Sequence, residues 1–484
     1  MPATEYSFRS RSLRAGQPPN HDQGRRISVL ILIPTLAVGG AEMDLVRNLP
    51  RINRSRFKVA VCTFLERGAL AEQLTKAGIE VIGPFVNESY GFKHLRALAR
   101  YGSHYVRVLA ERLLPAALIA FGSKIKTVIL SGLVRCFVGA TVILRIALPI
   151  ARYVRKSKVE VLHTVLPNAY VIGAIANRLV SRRPLVMSRL SLNWYHETHA
   201  VLGVIERYAL HPFVDCAIGN SKAILTQLRE EGLPQAKSLL VHNGIDVEAF
   251  RGEMVERCRA RELLGIPQGP LVFSCIANLF PYKGHADLLN ALHRLKDRVP
   301  QDWFLLLVGR DIGTNLADLW RLSHDLGLSQ NIRFLGQRLD IPVILSAADI
   351  HVSASHHEGF PNNILEAMCA GLPVIGTAVG GVPELIVDGH TGLLTPARNP
   401  NELANALCVL ANNPSKRRAM GMAAQLRVET FFKIDRSVAA FEEIYSALAL
   451  RLSPKHQSPV YRGTAQCDFR YTSRKRSAST AAQR

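Results

Sequence analysis

Apolar residues along this chain fall into short continuous runs separated by stretches of helical periodicity, the pattern of a mainly parallel sheet covered on both faces. Residues 27–34 (ISVLILIP) are the first run, followed by a Gly-Gly turn and a helical pattern over 41–49. Runs at 58–63, 78–82, 159–163, 185–188, 216–218 and 238–241 continue the series as strands. Residues 243–270 carry Gly, Pro and many charges, and read as an interdomain connection. A second series follows, with strands expected at 271–277, 303–308, 331–335, 349–352 and 374–376, and a helix at 286–295. Two doubly wound α/β domains facing each other place ligands in the cleft, at the carboxyl ends of both sheets. The pattern over 438–450 is a last helix. The polar residues 1–25 and the basic tail 453–484 lack apolar periodicity and are expected to be disordered.

With 484 residues the chain can hold two domains with ample cores. Its net charge of +22 is unevenly placed. Residues 1–200 hold 29 Lys and Arg against 11 Asp and Glu (+18), residues 201–450 hold 23 against 26 (−3), and the last 34 hold 8 against 1 (+7). Such an excess attracts polyanions. No nucleic-acid module signature is present and aromatics are sparse in the basic segments, so an anionic membrane surface is the expected partner, not nucleic acid. Residues 105–156 add to this, because apolar stretches at 113–121, 127–134, 137–144 and 146–150 are broken by Lys124, Lys126, Arg135 and Arg145. None reaches the ~18 residues of a spanning helix. The pattern suits helices lying in a membrane interface, the alternatives being buried helices of the first domain or a re-entrant or spanning segment. The eight cysteines are scattered without a CxxC pair, so neither a disulfide scaffold nor a zinc site is expected. The polar, Arg-rich N-terminus has no apolar core of signal-peptide length. The expected location is cytoplasmic, peripheral on the cytosolic face of a membrane. The oligomeric state stays open.

Candidate chemistry concentrates in residues 355–394, SHHEGFPNNILEAMCAGLPVIGTAVGGVPELIVDGHTGLL. A short apolar strand precedes it, Pro361 suits the first turn of a helix, and Ile364, Leu365 and Met368 recur at helical spacing. Glu358 then sits on a strand-to-helix turn, and Glu366 about two turns inside the helix. The free N–H groups of that helix start, with Gly359 offering an unobstructed approach, make a site for a diphosphate. Two flanking carboxylates suit ribose and hexose hydroxyls, which need anionic acceptors. The block reads as a nucleotide-sugar pocket.

These residues resemble the family 4 retaining glycosyltransferases (glycosyl transferases group 1), whose signature is a glutamate pair of this spacing. Further matches follow in the family's order: GGAE at 39–42, VHNGID at 241–246, PYKGHADLLNAL at 281–292 and NIRFLG at 331–336. The resemblance implies the GT-B fold, two Rossmann-like domains facing a cleft. Its limits here are an acceptor domain at 26–242, a linker at 243–270, a nucleotide-sugar domain at 271–430 and a helix at 431–452 that returns to the first domain. It also implies a hexosyltransferase whose donor, a nucleoside-diphosphate sugar, is a substrate, with no cofactor. The expected acceptor is a lipid-linked saccharide in polysaccharide or glycolipid assembly. A soluble acceptor, or a degenerate partner subunit, is the alternative.

The resemblance assigns Glu366 to the donor ribose and Glu358 to the transferred sugar. It assigns the helix start over Phe360, Pro361, Asn362 and Asn363 to sugar and phosphate, and Lys283 to the phosphates. Gly39 and Gly40 are the facing loop, where absent side chains let a diphosphate or acceptor approach the backbone; alternatively they form an ordinary tight turn. His163, closing a strand, is either a catalytic residue touching the donor sugar or a core histidine. Asn278 stands where the family commonly has an arginine, so it offers the phosphates a hydrogen bond without charge. Arg310, at the next strand end, is a candidate to compensate. Ser188, Arg189 and Ser191 are candidates for the acceptor side. No Asp-x-Asp triplet occurs, so metal-independent transfer is expected, with Lys283 and helix N-termini neutralising the diphosphate.

Overall fold

The apolar runs become two parallel sheets in the computed structural model, which describes residues 25–85, 143–180, 182–192, 200–295 and 298–450, apart from Pro300, Gln301, Ile312 and Thr314. Residues 105–142 of the basic apolar segment, and both ends expected to be disordered except Arg25, lie outside the described residues. Strands β1 (Ile27–Thr35), β2 (Phe57–Glu66), β3 (Glu80–Ile82), β4 (Val161–Val165), β5 (Leu185–Arg189), β6 (Cys216–Gly219) and β7 (Ser238–Leu240) form the first sheet. Its order is β3-β2-β1-β4-β5-β6-β7. Strands β8 (Leu271–Ile276), β9 (Trp303–Val308), β10 (Ile332–Gly336), β11 (Ile350–Ser353), β12 (Val374–Thr377) and β13 (Gly392–Thr395) form the second, in the order β10-β9-β8-β11-β12-β13. The described pairings are parallel. Only Ser28 and Thr35 of β1 escape full burial, as a strand covered on both faces requires. The strand order reverses between β1 and β4 in one sheet and between β8 and β11 in the other. Those are the switch points at which an open α/β sheet leaves a crevice.

Each sheet carries an apolar layer on both faces. One layer of the first sheet includes Ile434, Val438, Ile444, Tyr445 and Leu448 of the Ile434–Ala449 helix, so the chain's last helix packs on the first domain. At about 1.5–3 kcal/mol per buried apolar side chain, those five contacts anchor it firmly. The opposite layer includes Ile146, Ala147, Ile150, Ala151 and Val154, on one face of a helix over 143–156, while Leu144 and Leu148 stay exposed. For this end of the basic apolar segment the buried-helix alternative therefore holds, not the interfacial one. The expected linker is also different. Residues 243–270 contain the helices Val247–Gly252 and Arg257–Leu263, and Val247, Phe250, Ala260 and Ile266 belong to the core of the second domain. The charges that read as linker lie on outer faces and in ion pairs such as Arg257–Asp349.

Candidate functional site

A cavity of about 830 Å³ opens between the carboxyl ends of the two sheets, a volume within the range of small-ligand sites. Its walls come from the segments after β1 (Gly39, Gly40, Met43, Arg47), after β8 (Asn278, Tyr282, Lys283) and after β11 (Glu358, Gly359, Phe360, Pro361, Asn362, Asn363, Glu366). Leu190, Ser191, Leu192 and Asn243 complete the first-domain side. Of the donor, loop and catalytic residues nominated by the sequence, His163 and the compensating candidate Arg310 are absent from this wall.

Lys283 ends a single 3-10 turn, Pro281–Lys283, closed by Gly284 at φ +69°. A Cβ at Gly284 would stand 2.0 Å from the Ala354 carbonyl oxygen, so only glycine lets this turn lie against the end of β11. Lys283 Nζ donates to Glu358 Oε1 at 2.7 Å, and Ser355 Oγ donates to the same oxygen at 2.6 Å. Burial pulls the Lys283 pKa down, but Glu358, Tyr282 and Cys275 together more than offset it, and the group stands above its ordinary value. The ammonium therefore stays charged inside the pocket.

The Asn362–Cys369 helix has Pro361 as its N-cap, which puts Glu366 at the fifth position, just over one turn in and not two. Glu366 is 7% exposed and forms an ion pair with Arg47, which lies on the Gly40–Asn48 helix across the cleft. Burial disfavours the Arg47 charge, yet Glu366, with Asp44 and Glu253, raises its pKa above the ordinary range. Asp44, one turn earlier, is pushed up to about 6 by burial and receives Asn48 Nδ2 at 3.0 Å. Asn362 Nδ2 donates to the Gly40 carbonyl at 3.1 Å, and its Oδ1 accepts from Asn243 Nδ2 at 2.8 Å. Asn363 turns its amide to the Ile276 carbonyl (2.9 Å), so its side chain braces β8.

Gly359 is glycine for a different reason from the one its sequence context offered. A Cβ there would stand 2.2 Å from the Leu190 carbonyl oxygen, so the missing side chain admits the first domain, not a ligand. At Gly40 a Cβ would meet nothing within 4 Å, and the space beside it is open.

His163 is corrected from catalytic candidate to core residue. It is 1% exposed, with Nδ1 at 2.7 Å from the Tyr445 hydroxyl and Nε2 at 2.7 Å from Ser188 Oγ. Burial lowers its pKa to about 3, which keeps the ring neutral. The sheet face it occupies is covered by the last helix, whose Phe441 and Tyr445 rings pack on it. Ser188 is thereby engaged, and Arg189 is buried between Glu206 (2.9 Å) and Glu231 (3.2 Å), which leaves Ser191 as the cavity residue of that trio. Asn278 lines the cavity, but its Oδ1 accepts from the Arg310 N–H at 3.1 Å and braces the neighbouring loop.

Sequence reasoning missed Arg47, Arg51 and Arg338. Arg47 had a signal, because residues 40, 43 and 47 recur at helical spacing and share one face. Arg51 pairs with Asp246 across the cleft, and Arg338 pairs with Asp340 at 2.6 Å. Four cations on the wall are thus each matched to a carboxylate. Among the described residues, one trio has the spacing of metal ligands, Glu206, His211 and Glu231; Arg189 lies among them, and none lines the cavity.

Residues 257–427 match the family model described as "Glycosyl transferases group 1", and residues 88–249 match "Glycosyltransferase Family 4". Among curated proteins, the D-inositol 3-phosphate glycosyltransferase of Corynebacterium glutamicum is 34% identical over 40% of this chain and 47% of its own length. The N-acetyl-alpha-D-glucosaminyl L-malate synthase of Bacillus anthracis is 26% identical over 62% of this chain and 78% of its own. The chain spans about half the length of the first of these relatives. Anabaena HepE, solved with UDP and glucose, superposes with a TM-score of 0.68 at 23% identity, covering 87% of this chain and all of that one. WaaG, a glycosyltransferase involved in lipopolysaccharide biosynthesis, superposes at 0.59 with 16% identity over 85% and 99%. Those likenesses fix the fold as GT-B, and the two matched halves meet at the cavity just described. The chain belongs to the group 1, family 4 glycosyltransferases.

Proposed function

We propose that this protein transfers a hexose, with retained anomeric configuration, from a nucleoside-diphosphate sugar to an acceptor hydroxyl in the cleft. The observation that carries this reading is the convergence of Glu358 and Glu366 on one cavity, each already facing a cation, Lys283 or Arg47. The phosphates of a nucleoside-diphosphate sugar take Lys283 from Glu358, whose carboxylate turns to the transferred sugar, while Glu366, still held by Arg47, accepts from the ribose hydroxyls. Lys283 and the first N–H groups of the Asn362–Cys369 helix then oppose the charge that develops on the leaving diphosphate. The complexes of HepE with UDP and UDP-glucose support the donor class.

For the acceptor, the charge of residues 1–200 supports a lipid-linked saccharide reached from an anionic membrane surface. A soluble acceptor is the second reading, favoured by the relatives named for D-inositol 3-phosphate and L-malate. Incubation with UDP-, GDP-, ADP- and dTDP-hexoses, with and without lipid-linked saccharides, tests both. Release of nucleoside diphosphate from one donor, abolished in Glu358→Gln, is expected. Equal release by wild type and variant with every donor would overturn the enzyme reading. Failure to float with anionic vesicles at low salt would remove the membrane arm.

A further inference from the structure

We infer that Arg47 is a positioning residue for the donor, so that the ribose subsite is completed only by the first domain. This rests on the proposed reading of Glu366 as the ribose acceptor. Arg47 holds Glu366 at Oε1, and Glu366 lines the cavity. A carboxylate free to rotate in a wide cleft would meet a ribose diol in many orientations, whereas one pinned by a guanidinium meets it in few. The pin is itself braced. Ser437 Oγ donates to Asn48 Oδ1 at 2.6 Å, and Asn48 Nδ2 donates to Asp44 Oδ1 at 3.0 Å and to the Asp44 carbonyl at 2.8 Å. Asp44 lies one turn before Arg47 and adds its charge to the same guanidinium. Four buried or half-buried polar groups thus connect the last helix, through the first domain, to the carboxylate on the second. A surface arginine would have no such backing.

The sign of the effect separates this role from its opposite, a latch that ribose must displace. The full chain, as wild type, Arg47→Met and Arg47→Lys, is titrated calorimetrically with whichever of UDP, GDP, ADP or dTDP the wild type binds. Circular dichroism melts confirm that each variant is folded. Arg47→Met should weaken binding about tenfold, the scale of one charge-assisted hydrogen bond, and Arg47→Lys should recover part of the loss. Against the 2′,3′-dideoxy form of the same nucleotide, wild type and Arg47→Met should bind equally, because the hydroxyls through which Arg47 acts are gone. Equal or tighter binding of the ordinary nucleotide by Arg47→Met would overturn the inference. So would an equal loss against the dideoxy form, which would assign Arg47 to the phosphates or to the fold. Absence of wild-type binding to all four nucleotides would instead sink the donor reading beneath it.

Discussion

Replacing His163 by leucine tests the reassignment of this residue from chemistry to the core. The substitution fills a similar volume with an apolar side chain but strands the Tyr445 hydroxyl and Ser188 Oγ, each of which bonds an imidazole nitrogen at 2.7 Å. Tyr445 is 1% exposed and Ser188 3%, so water cannot replace the lost partner. An unsatisfied buried hydroxyl costs about 1–3 kcal/mol, which makes the expected loss about 2–6 kcal/mol for the pair. Native stabilities of about 5–15 kcal/mol leave the variant folded but clearly weakened. Urea denaturation followed by circular dichroism measures this loss.

The pH dependence provides a second readout. His163 has a folded pKa of about 3, below the roughly 6.5 of an unfolded histidine. Between those values the unfolded chain binds a proton that the folded chain refuses, so the contribution is complete above about pH 6.5. It falls as the pH drops, by about 1.4 kcal/mol per unit. His351, at about 3, and His285, at about 4, add slopes of the same sign, so His163→Leu should flatten the acid limb without abolishing it. Unchanged stability and slope, with nucleoside diphosphate release reduced a hundredfold, would return His163 to the active site.

Lys283→Met should weaken nucleoside diphosphate binding by about 10–100-fold, because it removes the cation at 2.7 Å from Glu358 and leaves that carboxylate buried and unmatched; calorimetry showing a loss under threefold would contradict this. Gly380→Ala should lower stability by about 1–3 kcal/mol and disturb the Glu358 turn, since Gly380 has φ +53° and its Cβ would lie 1.7 Å from the Glu358 carbonyl oxygen. Gly389→Ala, with φ +74° in open space, is the control, at about 1 kcal/mol. Sugar transfer should continue in EDTA; complete loss restored by Mg²⁺ or Mn²⁺ would refute phosphate neutralisation by Lys283 and helix N–H groups alone.

Most strands were legible because a doubly wound sheet buries them on both faces, and continuous apolar runs announce that burial. β13 escaped notice because Gly392–Thr395 has only four residues, two of them half-buried. The helices at Val247–Gly252 and Arg257–Leu263 were hidden by their charges, most of which face outward while Phe250 and Ala260 face the core and Arg261 is buried in an ion pair with Asp349. Local motif reading found the glutamates, Lys283 and the glycine turns, because each depends on a neighbour within a few residues. It left His163 open between catalysis and the core because the partner that decides its role, Tyr445, lies 282 residues later. The same limit applied to Gly359, whose space is claimed by Leu190 and not by the chain around it.

The contacts across the cleft share that long-range character, and their magnitudes say how the two domains are held. Arg47–Glu366, Arg51–Asp246 and Asn362 to Gly40 join them at the cavity, while Glu384 accepts from the Lys222 N–H at 2.6 Å and pairs with His242 at 2.9 Å elsewhere on the interface. The Arg51 and Asp246 side chains are 35% and 25% exposed, so solvent screens their pair to at most about 1 kcal/mol. Arg47–Glu366 is better shielded, but each charge loses hydration on burial, which cancels much of its Coulomb attraction. These two ion pairs therefore contribute only a few kcal/mol, comparable to two or three charge-assisted hydrogen bonds. A donor that engages Glu366, Glu358 and Lys283 together supplies interactions of that size. On the proposed donor reading, nucleotide binding is expected to be coupled to the spacing of the two domains, so that Asn48→Ala, which touches no ligand, weakens nucleoside diphosphate binding by calorimetry; unchanged affinity in the folded variant would refute the coupling.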